Sequence, residues 1–96
     1  MKRAYLLLYN SEVGDKERVK TWLNSNQLVQ TWRTDMPNCF YVITESDAQA
    51  LSDSFRQFTG SRGRFMFIEA GENRQGYMPQ DTWYLLRNKA LKPSGQ

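Results

Sequence analysis

Chemistry in this chain has few places to reside, because the sequence contains no histidine and a single cysteine, Cys39. Imidazole metal sites, Ser-His and Cys-His nucleophile pairs and the commonest general base are excluded together. Cys39, with no histidine to activate it, reads as a small buried hydrophobe. Carboxylates that could hold a divalent ion are confined to Glu12 and Asp15 after the first apolar run and Asp35 further on. Glu12 and Asp15 also suit a solvated turn and a helix start. The remaining candidates are cationic. Arg62 and Arg64 precede the last apolar run, Arg74 follows it, and Arg87 lies in the C-terminal segment with Lys89 and Lys92. Arg62, Arg64, Arg74 and Arg87 are the residues expected to touch phosphates if nucleic acid is bound. Such contacts are independent of base sequence and weaken with salt.

The elements that must position these residues follow from apolar periodicity. Ala4 to Asn10 is apolar on both faces and stops at polar residues, which reads as a central strand. Asp15 to Asn24 carries Val19, Trp22 and Leu23 at helical spacing, with acids near its start. Leu28 to Met36 mixes β-formers with Gln30, Arg33 and Asp35, as an edge strand does. Met36-Pro37-Asn38 turns the chain into a second apolar strand, Cys39 to Thr44. Ser46 and Gln49 have capping-box spacing, and Ala48, Leu51, Phe55 and Phe58 then form one stripe ending before Gly60. Arg64 to Ala70 predicts a fourth strand. A polar loop from Gly71 to Gly76 precedes a short helix with Pro79 in its first turn and with Trp83, Leu85 and Leu86.

The order βαββαβ plus a terminal helix predicts an α+β, ferredoxin-like fold. It has a four-stranded antiparallel sheet, first and third strands central, and two helices on one face. The 96 residues suffice for one domain over residues 1–88, with a flexible tail over 89–96. With no leader, no long apolar run and no disulfide, the chain is expected to be soluble and cytoplasmic, without membrane contact, cofactor or metal. The net charge of +3 arises in the second half: residues 49–96 hold seven Lys or Arg against four Asp or Glu, whereas residues 1–48 hold six of each. An excess of this size serves solubility before it marks a nucleic-acid footprint.

Placing Leu6, Leu8, Met66 and Ile68 under the two helices leaves Tyr5, Leu7, Tyr9, Tyr41, Phe65 and Phe67 on the helix-free face. So apolar a face calls for a partner, and a symmetric homodimer is the expected one. The competing arrangement folds the terminal helix, with Trp83 and Leu86, across the same face. Aromatic strand residues also suggest base stacking as in the RNA recognition motif, but Arg62-Gly63-Arg64-Phe65-Met66-Phe67 puts arginine where an aromatic is required.

The opening strand Tyr5-Leu6-Leu7-Leu8-Tyr9, the βαββαβ order and the closing Gly76-Tyr77-Met78-Pro79 followed by Trp83 resemble the small ferredoxin-like CRISPR-associated adaptation proteins. They also resemble that family's relatives, including virulence-associated protein D. The resemblance implies a homodimer built by sheet-to-sheet packing and, in some members, a metal-dependent nuclease whose acidic residue ends the first strand. Here that position is Asn10, whose neutral amide lacks the charge that a hard divalent ion requires. The expected function is therefore a small non-catalytic homodimeric binding or assembly protein. The alternatives are a nucleic-acid-binding dimer and a divalent-metal nuclease.

Overall fold

The computed structural model describes residues 1–93. Four strands, β1 (Arg3–Tyr9), β2 (Val29–Met36), β3 (Cys39–Thr44) and β4 (Phe65–Glu69), form one antiparallel sheet in the order β2-β3-β1-β4. Helices α1 (Lys16–Ser25) and α2 (Ala48–Thr59) supply the two crossovers, and α3 (Gln80–Asn88) follows β4. The arrangement is the α+β split βαβ expected from the element order, with β1 and β3 central. The expected tail begins at Lys89, which adopts a left-handed conformation and closes α3 through its N–H to the Leu85 carbonyl. Residues 94–96 of that tail lie outside the described residues.

Local signals account for the boundaries. The Asp15 side chain accepts the Arg18 amide at 2.8 Å and so caps α1. The expected Ser46–Gln49 capping box is replaced by Asp47, whose carboxylate accepts the Ala50 amide at 2.9 Å. Gln49 instead donates to Asp53 one turn on, at 2.9 Å. Asp outcompetes Ser here because an ionised acceptor at a helix N-terminus gains from the dipole as well as the hydrogen bond. Pro79 is the N-cap of α3 and lies just outside its first turn. A short 3-10 turn at Ser11–Val13 occupies the polar segment after β1.

The two sheet faces are assigned the other way round from the sequence expectation. Tyr5, Leu7, Tyr9, Phe65 and Phe67 point toward α1 and α2, packing with Val19, Trp22, Leu23, Phe40, Val42, Leu51 and Phe55. Phe55 stands at the centre, edge-on to Trp22 and Phe65 at 4.9 Å and to Phe67 at 6.0 Å. Alternation sorts strand residues into two sets without saying which set meets the helices. Bulk decides it, because the aromatic set fills the deep layer beneath two helices, where burial of each ring gains most.

On the opposite face α3 lays Leu85 and Leu86 against Ala4, Cys39, Tyr41 and Ile43, with Trp83, Met78, Leu6 and Ala70 at the margin. Tyr41, expected at a dimer face, is thus on the correct side but beneath α3. A polar clamp fixes the helix to β2: Arg33 Nε donates to Thr82 Oγ1 at 2.9 Å, and Thr82 Oγ1 donates to the Asp35 carboxylate. Arg33 and Asp35 pair at 3.3 Å.

The face assignment has a direct test in urea unfolding. Leu7→Asp or Phe67→Asp should cost at least about 4 kcal/mol and leave little folded protein, because each puts a charge into the helix-side core. Ile68→Asp, at a position exposed in the single chain, should leave the protein folded, with any loss limited to what association contributes.

Candidate functional site

With α3 seated over β3 and the Ala4 end of β1 and tied to β2 by its polar clamp, the Leu8 end of β1 and the β4 edge of this face stay open. Leu8 is 40%, Met66 55% and Ile68 48% exposed, and the strand register sets Leu8 opposite Met66 and half-buried Leu6 opposite Ile68. Met36 extends the upper row across the sheet, paired with Cys39, which in turn pairs with Leu8. Arg64 borders this strip and lines a shallow groove with Leu8, Asn10 and Met66. Leu6, Leu8, Met66 and Ile68 are the residues expected beneath the two helices; three of them are instead exposed on the opposite face, in adjacent cross-strand positions. The usable signal was Arg64, which shares a face with Met66 and Ile68 and is costly to bury beneath helices.

Asn10, at the position of interest for metal chemistry, is fully engaged in structure. Its Oδ1 accepts the Glu12 amide at 3.2 Å and the Arg64 amide at 3.1 Å, while Nδ2 donates to Glu12 Oε1 at 3.3 Å. It ties the end of β1 to the start of β4. Gly63 makes this approach possible: its φ is +72°, and a Cβ there would come within 2.6 Å of the Val13 nitrogen and 2.8 Å of Asn10 Oδ1. Asp15 caps α1 and Asp35 holds the α3 clamp, so the candidate carboxylates are dispersed. Among the described residues no three His, Cys, Asp or Glu side chains are grouped as metal ligands.

The four arginines do not form one surface. Arg62 and Arg64 lie at the start of β4 and Arg74 beyond its end, separated by a strand about 17 Å long. Arg74 and Arg87 come together, with Lys92, around a cleft of about 570 Å³ that also includes Glu72, Trp83 and Tyr84. Arg74 is held in place by donating from Nη1 to the Gly71 carbonyl at 2.6 Å. Lys92 lies 3.8 Å from Asp81. Tyr77, within the Gly76-Tyr77-Met78-Pro79 segment, is fully exposed.

Beneath α3 the titrating groups are tuned toward neutrality. Burial, followed by the Asp35 charge, pushes the Tyr41 hydroxyl up to about 12. Burial likewise raises the Cys39 thiol, reinforced by Asp35, so the thiolate that nucleophilic chemistry needs is disfavoured. The Tyr41 hydroxyl has no well-formed hydrogen bond among the described residues. No helix among the described residues is long and apolar enough to cross a membrane.

No family model, curated protein or solved structure matches this chain. The likeness to the adaptation proteins therefore stays with the residues that suggested it.

A tyrosine whose pKa is higher folded than unfolded keeps its full stabilising contribution below the ordinary value of 10. It loses that contribution as pH rises toward 12, because the unfolded chain ionises first. Stability measured by urea unfolding should accordingly fall between pH 10 and 12. Tyr41→Phe should flatten part of that decline while costing less than about 1 kcal/mol at pH 7, since no strong hydrogen bond is lost.

Proposed function

We propose that this protein is a non-catalytic homodimeric assembly protein that associates through the exposed β4 edge of its sheet and the adjoining Leu8 end of β1. The observation that carries this reading is the strip of Leu8, Met66 and Ile68 left exposed beside α3, with half-buried Leu6 at its inner margin. Exposed leucine, isoleucine and methionine in adjacent cross-strand pairs constitute a contiguous patch, and such patches mark association surfaces. The role of Tyr5, Leu7, Tyr9, Phe65 and Phe67 is to support this sheet from behind. Consistent with a binding role, the carboxylates flanking the strands act as caps and clamps. Size-exclusion chromatography with light scattering should give twice the chain mass at micromolar concentration. Met66→Asp should shift it to the single-chain mass without unfolding. A wild-type monomer under these conditions counts against the proposal.

A second reading, weak nucleic-acid binding, is favoured by the convergence of Arg74 and Arg87 beside Trp83 and Tyr84. Cations that contact phosphate next to aromatic side chains are the elements of sequence-tolerant single-strand binding. Arg62 and Arg64 lie outside that cleft. Affinity for a short single strand should fall steeply with salt, and Arg74→Ala with Arg87→Ala should reduce the salt slope by about one to two. Arg62→Ala should leave it unchanged. Binding that persists in molar salt, or that the double substitution spares, would exclude this cleft.

A further inference from the structure

We propose that β4 is the seam between the two copies: their β4 strands pair antiparallel about a two-fold axis through Phe67, joining two four-stranded sheets into one of eight strands. This placement rests on the self-association proposed above and specifies its geometry. The strand order leaves β2 and β4 at the sheet edges. These edges differ in kind. β2 has two register irregularities, carries Arg33 and Asp35, and is held by Thr82 of α3, all features that discourage strand addition. β4 pairs with β1 without irregularity and has no proline, with no charge from Phe65 to Ile68.

Hydrogen-bond parity shows what that edge offers. The Ala70 amide donates to the Ala4 carbonyl at 2.8 Å and the Asn10 amide to the Arg64 carbonyl at 3.0 Å. In an antiparallel ladder these bonds alternate, so even-numbered residues of β4 turn their backbone groups toward β1. The N–H and C=O groups of Phe65, Phe67 and Glu69 therefore point outward, and no backbone or side-chain hydrogen bond from another described segment engages them. Two such edges match only where odd residues face odd residues. Placing Phe67 opposite its counterpart pairs the whole of β4 and closes six main-chain hydrogen bonds.

The side chains agree with the same register. Met66 then faces the second copy's Ile68, and Ile68 the second copy's Met66, at the close non-hydrogen-bonded positions. The two open strips become continuous across the axis. Arg62 and Arg64 flank one end of β4, whereas the other carries Glu72 together with Arg74, and Glu69 is already paired with Arg3 at 3.8 Å. Antiparallel pairing sets Arg62 against the second copy's Glu72 and keeps the Arg62–Arg64 pair of one copy away from that of the other, whereas parallel pairing would place the two pairs side by side. The pairing also closes, because both β4 edges are consumed and only the guarded β2 edges remain.

The test is cysteine cross-linking in a Cys39→Ala background, with Met66→Cys and Ile68→Cys chains made separately and distinguished by an affinity tag. Under mild oxidation the mixture should form the mixed disulfide about tenfold faster than either chain links to itself, because only that pair has its Cβ atoms at bonding separation. A light-scattering dimer in which the mixture shows no preference, or in which Leu8→Cys chains link to themselves fastest, overturns the seam while leaving self-association standing. A monomeric mass for the wild-type chain overturns both.

Discussion

The structure depends on the aromatic layer in which Trp22, Phe55, Phe65 and Phe67 meet edge to face under two helices. Burial of these rings is a large stabilising contribution, and it fixes the side-chain alternation of every strand that touches them. Once Phe67 points at Phe55, Met66 and Ile68 must point away. Once Leu7 is under the helices, Leu6 and Leu8 are on the other side. The open strip is therefore a geometric consequence of the core.

The second layer is thinner by construction. An α-helix is about 10 Å across, roughly two strand spacings, so the single helix α3 does not cover four strands. Its position is selected by Leu85 and Leu86 in the pocket of Ala4, Tyr41 and Ile43, and by the Thr82 bridge to Arg33 and Asp35. A salt bridge and hydroxyl in this setting contribute mainly by leaving no buried charge unpaired, so they locate the helix more than they stabilise it. The result covers β3 and the Ala4 end of β1 and leaves the Leu8 end of β1 and the β4 edge open.

Much of this is legible in the sequence. Strand order, the hairpin around Pro37-Asn38 and the helix stripes follow from spacing and turn chemistry, because local preference and tertiary packing agree there. Helix ends were read to within a residue or two, although the choice between Ser46 and Asp47 as cap turned on geometry that both residues satisfy in sequence. The face assignment was not legible from alternation, since β1 is apolar at both phases and β3 is buried throughout. The sequence singles out Asn10 only as a neutral residue where a metal-binding acid would stand; its role in joining β1 to Arg64 involves a contact 54 residues away, which local pattern does not encode. The convergence of Arg74 with Arg87, and the separation of both from Arg64, likewise come from the loop that follows β4 and from the packing of α3 on the sheet, which sequence spacing does not encode.

Two independent liabilities coincide on β4. An open apolar patch reduces solubility, and an unpaired regular strand edge invites strand addition; a monomer normally relieves each with charges, bulges or a covering helix. This chain uses those devices at β2, where bulges, Arg33, Asp35 and α3 are concentrated, and leaves β4 with none between Phe65 and Ile68. Such asymmetry is hard to reconcile with a fold whose only requirement is to remain single. A second copy relieves the edge by satisfying its outward backbone groups, and it relieves part of the patch through the Met66 and Ile68 side chains. The register that satisfies the outward backbone groups of both copies is also the one that sets Met66 against Ile68 and holds the two Arg62–Arg64 pairs apart, and this joint agreement favours an antiparallel pair of identical chains over an unrelated strand.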